Sequence, residues 1–155
     1  MSAAHAGIKR IVVGIDGSSH ATAAIQWAIR MAKGMDAEVI AVFAVAPPVY
    51  FDTGMAAPTI PVQFDEQWRA DMKKEFEDGW CRPLRDAGVR YRTVFEDGRA
   101  ASVITAVADA ADADVVLVGR RGRGGVAELL LGSVSHELVL HCKRPVLVIS
   151  TPPPA

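Results

Sequence analysis

Five short runs rich in valine and isoleucine alternate along the chain with longer segments whose apolar residues recur with a helical period. Four of the runs are nearly continuous in apolar residues, which is typical of parallel strands covered on both faces. This alternation favours a parallel sheet with right-handed crossovers. The runs are RIVVGI (10–15), EVIAVFAV (38–45), VRYRTVFE (89–96), DVVLVG (114–119) and PVLVIS (145–150).

The order β-α-β-α-β-α-β-α-β predicts an α/β fold with a doubly wound five-stranded parallel sheet in the order 3-2-1-4-5. The third run alternates polar and apolar residues, which indicates an edge strand. Strands 1 and 4 then lie side by side where the winding reverses, and open α/β sheets bind ligands at the carboxyl ends of such strands. The segments leaving those two ends are GIDGSS and GRRGRGGVAELLLGS.

Four helices are predicted between the strands, over about 18–34, 63–87, 99–111 and from 133 to before Arg144. Ser18 is a good N-cap and Gly34 a good C′ residue for the first helix, and Pro83 is expected to kink or break the second. The predicted buried positions are Ile25, Ala28, Ala32 and Met35 in the first helix, Phe64, Trp68, Met72, Phe76 and Trp80 in the second, and Val103, Val107 and Ala110 in the third.

The length of 155 residues fits one domain, with a core over about 8–150 and a loose N-terminus and 151–155 tail. The net charge of -1 does not indicate nucleic acid or an anionic membrane as a partner. The first ten residues lack the apolar stretch of a signal peptide, and no run is long enough to span a membrane, so a cytoplasmic protein is expected. Cys81 and Cys142 are too few for a disulfide framework and are interpreted as reduced thiols.

The loop after strand 4 has the composition of an anion site. Gly119 and Gly122 lack side chains that would stand between the backbone and a ligand in the crevice, so their N–H groups can approach an anion. About ten residues later, Gly132 and Ser133–Ser135 open a helix whose first N–H groups and hydroxyls form a second set of donors. Two such donor sets suit a polyphosphate.

Three arginines, Arg120, Arg121 and Arg123, add positive charge to this loop, and at least one is expected to face the phosphates. The long connection over 46–62 is interpreted either as a lid or dimer segment or as a mobile loop. The aspartates of DAADAD (109–114) could suggest a metal site, but no neighbouring segment supplies matching ligands, and they are interpreted as a solvated helix end.

Other phosphate motifs fit less well. The loop has no lysine followed by serine or threonine after its glycines, which excludes the P-loop of kinases and GTPases. GRGGVA (122–127) matches the weak G-x-G-x-x-A form of a dinucleotide fingerprint, but it follows strand 4 rather than strand 1. A nicotinamide-dependent enzyme is therefore kept as a less favoured alternative.

The spacing of Gly119, Gly122, Gly132 and Ser133 resembles the G-2x-G-9x-G-(S/T) pattern of the ATP-binding branch of the universal stress protein family. VVGIDGS after strand 1 and RPVLVIS at the end resemble the same family, so the likeness extends over nearly the whole chain. The resemblance implies an adenine nucleotide alpha hydrolase-like fold and a bound adenine nucleotide.

The resemblance also implies roles for individual residues. Asp16 matches a family aspartate near the ribose and adenine, and an Asx turn or helix cap is its alternative or additional role. Ala44 matches a position whose backbone meets the adenine edge. Gly14 departs from the proline of some nucleotide-binding members. The residues assigned to the nucleotide site are Gly14, Ile15, Asp16, Ala44, Gly119, Arg120, Gly122, Gly132, Ser133, Val134 and Ser135.

No catalytic group is evident, because His20, His136 and His141 are scattered over two predicted helices and His5 lies in the N-terminal segment. The favoured function is an ATP-binding stress-response regulatory protein, with or without Mg²⁺, acting as a nucleotide-dependent switch with at most slow hydrolysis. A slow ATP hydrolase and a cyclic AMP-binding protein are the alternatives. The final strand, as an apolar edge, together with the resemblance, predicts a homodimer through Val146, Leu147, Val148 and Ile149.

Overall fold

The computed structural model describes residues 7–46, 66–123 and 130–155. Within these residues, five strands form one all-parallel sheet in the order β3-β2-β1-β4-β5, which confirms the predicted order. The N-terminal six residues, Phe64 and nearly all of the 46–62 connection lie outside the described residues. The strands are β1 (Arg10–Gly14), β2 (Glu38–Val45), β3 (Tyr91–Asp97), β4 (Val115–Gly119) and β5 (Val146–Ile149).

The helices pack on both faces of the sheet. Ile11 and Val13 of β1 pack with the first helix on one face, whereas Val12 packs with the fourth and fifth helices on the other, and all three side chains are fully buried. This double burial is the physical reason for the nearly continuous apolar strand sequences. The helices are α1 (Ser19–Met35), α2 (Glu66–Lys74), α3 (Arg82–Asp86), α4 (Ala100–Ala110) and α5 (Ser133–His141), with a π-helical turn (Glu75–Trp80) between α2 and α3.

The start of α1 is as predicted, but its end is not. The Ser18 hydroxyl accepts a hydrogen bond from the Ala21 N–H at 3.2 Å, as an N-cap should. Gly34 lies inside the helix, and Asp36 instead takes the left-handed conformation at the end, with φ of 51°. Aspartate tolerates this conformation better than most residues. Met35, predicted to be buried, is 44% exposed.

The predicted second helix is divided in three. α2 continues into the π-helical turn, and the helix breaks at Cys81 before α3 begins. Pro83 lies in the first turn of α3, where its missing N–H leaves no hydrogen bond unmade, so the break precedes the proline. The apolar stripe is correspondingly uneven, since Phe76 is fully buried but Trp68 is 39% exposed.

α4 buries part of the set of positions predicted. Val103 is buried and Val107 is packed at the edge of the same cluster, but Ala110 is exposed. The most buried stripe instead runs through Ala101, Ile104 and Ala108 because these residues, three and four positions apart, share the face toward the sheet.

The C-terminal tail makes hydrogen bonds to α1. The Trp27 indole N–H donates to the Thr151 carbonyl at 2.9 Å, and the Arg30 guanidinium donates to the Pro154 carbonyl at 2.9 Å. These two hydrogen bonds hold the segment after the final strand against α1.

The aspartates of the 109–114 segment, at and after the end of α4, have partners within the fold. Asp109 and Asp112 form ion pairs with Arg144. Asp114 accepts hydrogen bonds from the backbone N–H groups of Lys9 and Arg10, which hold the pKa of its carboxyl below the ordinary value. In the part of the chain that the structure describes, no group of three or more His, Cys, Asp or Glu side chains is placed to hold a metal ion. In the same ranges no helix is long and apolar enough to cross a membrane.

The two cysteines are free, and they are expected to differ in reactivity. Burial, assisted by the nearby Glu77 carboxylate, raises the pKa of Cys81 to about 12. At pH 8 only about one Cys81 in ten thousand is then a thiolate, the reactive form. We expect a disulfide reagent at pH 8 to titrate only the partly exposed Cys142 in the native protein and both thiols in denaturant. Rapid reaction of two thiols in the native state would contradict the burial of Cys81.

Candidate functional site

A cavity of about 400 Å³ opens at the carboxyl ends of β1 and β4, the predicted switch point of the sheet. All residues assigned to the site from the sequence line it, except Arg120. Its wall also contains residues that the sequence did not single out, from β2, α1 and α4. The lining comprises Gly14, Ile15, Asp16, Ser18, Ala21, Val42, Phe43, Ala44, Ala100, Ile104, Val118, Gly119, Arg121, Gly122, Arg123, Leu131, Gly132, Ser133, Val134 and Ser135.

Asp16 holds the turn after β1 and the loop after β4 together. Its Oδ1 accepts from the Ser18 N–H at 2.9 Å, which forms the Asx turn expected as one of its roles. Its Oδ2 accepts from the Arg123 N–H at 3.2 Å, across 107 residues of sequence. The carboxylate therefore positions the glycine-rich loop.

The start of α5 is tied to the same loop. The Gly132 N–H donates to the Arg120 carbonyl at 2.8 Å, and the Ser135 hydroxyl lies 3.0 Å from the Arg120 and Gly132 carbonyls. Ser135 is 2% exposed, so its hydroxyl has a structural role at the cavity wall. The first N–H groups of a helix have no intrahelical partners, and those of α5 begin at the cavity.

The glycines are required for reasons that differ from the one inferred from the sequence. A Cβ atom at Gly119 would lie 2.7 Å from atoms of His20 and 2.8 Å from the Ala21 nitrogen, so this glycine lets the end of β4 approach α1. A Cβ atom at Gly122 would lie 2.6 Å from Asp16 Oδ2. Both positions are restricted by the protein itself, whatever enters the cavity.

The same restriction applies at Gly14, the position where some family members have proline. A Cβ atom there would lie 2.8 Å from Ile104 Cδ1 and 3.0 Å from Val118 Cγ1. The glycine therefore allows the side chain from α4 to close over the end of β1. Ile104 could not be recognised as a cavity residue from the sequence because its helical spacing indicates only burial.

The three arginines have different positions. Arg121 and Arg123 line the cavity, whereas Arg120 contributes its backbone, donating to the Ile149 carbonyl at 2.7 Å. The Nε atoms of Arg120 and Arg121 are buried and have no hydrogen-bond partner among the described residues. Arg121 and Arg123 are therefore the two arginines whose side chains are placed to offer positive charge to a ligand in the cavity.

The ionisable side chains of the described lining are Asp16, Arg121 and Arg123, which together carry one net positive charge. Val42, Ala44 and Ile104 add apolar side chains to the same lining. A lining of this composition can hold both a flat apolar group and an anionic group. Asp16 is the one acid or base among these three that could accept a proton, and it is already engaged by two backbone N–H groups.

Comparison with known proteins agrees with this architecture. A universal stress protein from Methanocaldococcus jannaschii, MJ0531, is 31% identical over 148 residues, covering 93% of this chain and 83% of that protein. A universal stress protein solved in complex with cAMP has a TM-score of 0.68 at 24% identity, covering 92% of this chain and 97% of the other. A universal stress protein from Archaeoglobus fulgidus, solved in complex with dAMP, has a TM-score of 0.64 at 20% identity, covering 94% of this chain and 99% of the other.

The family assignment rests on the chain as a whole. The model of the universal stress protein family matches residues 7–150, which span all five strands and the cavity between them. The predicted strand order and the sequence patterns around β1, β4 and β5 are consistent with that match. This chain therefore belongs to the universal stress protein family.

Proposed function

We propose that the protein binds an adenine nucleotide, ATP above all, and works as a regulatory binding protein in the cytoplasm rather than as a dedicated enzyme. The observation that carries this proposal is the cavity itself, whose lining combines apolar side chains with a glycine-rich loop, the start of α5 and the side chains of Arg121 and Arg123. The apolar side chains suit a nucleobase, and the loop, the helix start and the arginines suit phosphates.

Two relatives of the same fold support the class of ligand. One was solved with cAMP and the other with dAMP, and these two ligands share an adenine and a phosphate. In this chain, we assign the adenine to the apolar side chains of Val42, Ala44 and Ile104 and the ribose to the neighbourhood of Asp16. The phosphates are assigned to the loop of Gly119 and Gly122 and to Gly132–Ser135.

A triphosphate is favoured because donors come from two segments about ten residues apart and because two arginines line the cavity. Among the described residues the lining supplies one carboxylate, Asp16, so Mg²⁺ would be held mainly by the phosphates, as is usual for nucleotide-bound Mg²⁺. The relative with bound cAMP keeps cAMP as the alternative ligand.

A regulatory role is favoured over hydrolysis by the composition of the lining. An efficient hydrolase needs a group that positions or deprotonates the attacking water. His20, His136 and His141 do not line the cavity, and Asp16 is occupied in holding the loop. At most slow hydrolysis is expected.

The test is to identify the small molecule released when freshly purified protein is denatured, by mass spectrometry, and to measure binding of ATP, cAMP and NAD⁺ to the emptied protein by calorimetry. We expect release of an adenine nucleotide and tightest binding of ATP. Tighter binding of cAMP would select the alternative ligand, and absence of binding by all three would refute the proposal.

Replacement of Asp16 tests the ribose assignment. We expect Asp16→Asn to weaken ATP binding more than binding of inorganic triphosphate. Asparagine keeps an Oδ1 acceptor for the Ser18 N–H, but its NH₂ replaces the Oδ2 that accepts from the Arg123 N–H, so release of the loop weakens both ligands and the additional loss for ATP measures the ribose contact. Asp16→Ala should weaken both ligands further, because it loses the contact with the Ser18 N–H as well. Competition titrations with the two ligands measure the difference. Equal losses for both ligands in Asp16→Asn would show that the residue acts only through the loop.

We further propose that the protein is a homodimer joined through β5 and that nucleotide occupancy switches its interaction with other proteins. In the sheet β5 is an edge strand, and Leu147 remains 42% exposed. Val139 and Leu140 of α5 are also exposed, at 53% and 61%. An apolar edge of this kind is hidden when it pairs with its copy about a twofold axis.

A further inference from the structure

Trp80 lies outside the cavity lining but contacts two residues within it. Its ring packs edge-on against Phe43, with 5.2 Å between centroids and 86° between planes. The Arg123 guanidinium carbon lies 4.9 Å from the centroid of the same ring. Phe43 and Arg123 both line the cavity, on the strand β2 side and the loop side respectively. Trp80 therefore joins two sides of the site.

Gly17 makes the stacking of Trp80 and Arg123 possible. A Cβ atom at Gly17 would lie 2.6 Å from the Trp80 ring and 2.9 Å from the Arg123 guanidinium. Gly17 also has φ of 76°, in the region that favours glycine. Because the Arg123 N–H donates to Asp16, both the backbone and the side chain of this arginine are held.

We propose that Trp80 is a positioning residue that orders Arg123 for the outer phosphates of a bound nucleotide, an inference that rests on the proposed nucleotide site. A long arginine side chain in solvent must lose rotamer freedom when it binds a phosphate. The cation–π contact with the indole restricts the guanidinium before the ligand arrives. The effect is specific to polyphosphates. Of the two arginines that line the cavity, Arg123 is exposed and Arg121 is partly buried, so Arg123 is assigned to the outer phosphates, which AMP lacks.

The central experiment measures the affinities of Trp80→Leu for ATP and AMP by calorimetry. We expect ATP affinity to fall about fivefold and AMP affinity to change less than about twofold, whereas Trp80→Phe, which keeps an aromatic face, stays near the native ratio. Trp27→Leu is the matched control, because Trp27 also stacks with an arginine, Arg30 at 5.8 Å, but neither residue lines the cavity. Its ATP-to-AMP ratio should not change.

Gly17→Ala is a second variant, in which neither Trp80 nor Arg123 is substituted. Its added Cβ atom is expected to push the Trp80 ring and the Arg123 guanidinium apart, and it should reproduce the ATP-selective loss. A double-mutant cycle between Trp80→Leu and Arg123→Met should show that the double variant loses no more ATP affinity than Arg123→Met alone. Additive losses, or an unchanged ATP-to-AMP ratio in folded Trp80→Leu and Gly17→Ala, would overturn the proposal.

A readout without nucleotide separates this inference from the proposed function. In the ligand-free protein, the Arg123 side-chain NMR signals should be shifted by the Trp80 ring current, and the shift should vanish in Trp80→Leu. If the shift is present and native protein fails to bind ATP, the proposed function is wrong, although the contact between Trp80 and Arg123 is confirmed. If native protein binds ATP and Arg123 shows no ring-current shift, the positioning role fails and the nucleotide site stands.

Discussion

Replacement of Gly122 by valine is expected to weaken ATP binding at least tenfold, equivalent to about 1.4 kcal/mol of binding free energy. The first atom of any side chain at this position would lie 2.6 Å from Asp16 Oδ2, and valine adds two methyl groups to it. The loop must then move away from Asp16, which breaks the hydrogen bond from the Arg123 N–H. The donors assigned to the phosphates are displaced as a result. Calorimetric titration with ATP measures the loss.

The matched control is Gly34→Ala. Gly34 lies inside α1, and a Cβ atom there meets no other atom within 4 Å. Alanine in a helix interior is more favourable than glycine by about 1 kcal/mol, so this variant should be at least as stable as the native protein and bind ATP normally. A properly folded Gly122→Val variant with unchanged ATP affinity would exclude the loop from the binding site.

Replacement of Val148 by proline is expected to convert the proposed homodimer to monomer or aggregate. The carbonyl of Pro145, just before β5, accepts from the Val116 N–H, and the Ile149 carbonyl accepts from the Arg120 N–H, so the backbone groups of these two residues face β4. Because hydrogen-bonding direction alternates along a strand, the Val148 N–H faces the free edge. Proline removes that donor and leaves the bonds between β4 and β5 in place. Sedimentation velocity at tens of micromolar measures the change.

Leu147→Pro is the matched comparison, because its N–H faces β4 by the same alternation and its loss should destabilise the fold itself. Thermal unfolding would separate the two effects, with Val148→Pro retaining a cooperative transition. A native chain that sediments as a monomer would refute the dimer. An unaltered dimer in Val148→Pro would move the interface elsewhere, with the 46–62 connection as the next candidate.

The sheet and the position of the site were predictable because they depend on local chemistry repeated along the chain. Strands buried on both faces must be apolar throughout, so their number and parallel character are apparent in the runs of valine and isoleucine. The N-cap at Ser18 is equally local, since its hydroxyl bonds an amide three residues away. The glycine spacing from Gly119 to Gly132 marked the loop that the structure places at the cavity.

Features that depend on contacts between distant segments could not be predicted in this way. The end of α1 at Asp36 and the break at Cys81 override the more obvious signals of Gly34 and Pro83, because packing against the sheet decides where a helix stops. Nothing local distinguishes Arg120 from Arg121 and Arg123, whose side chains differ only in what the folded loop places around them.

The glycines and Trp80 also separate what the sequence predicts from what the tertiary structure decides. The sequence by itself determined the sheet order, the switch point and the glycine-rich loop beside it, because burial, capping and glycine spacing act over a few residues, whereas the roles of Asp16 and Ala44 followed from the resemblance to the family. Only the tertiary structure decided that Gly119 makes room for α1, that Gly122 makes room for Asp16, and that Trp80 reaches Arg123. These contacts join segments more than forty residues apart, and their geometry exists only once the sheet has brought them together.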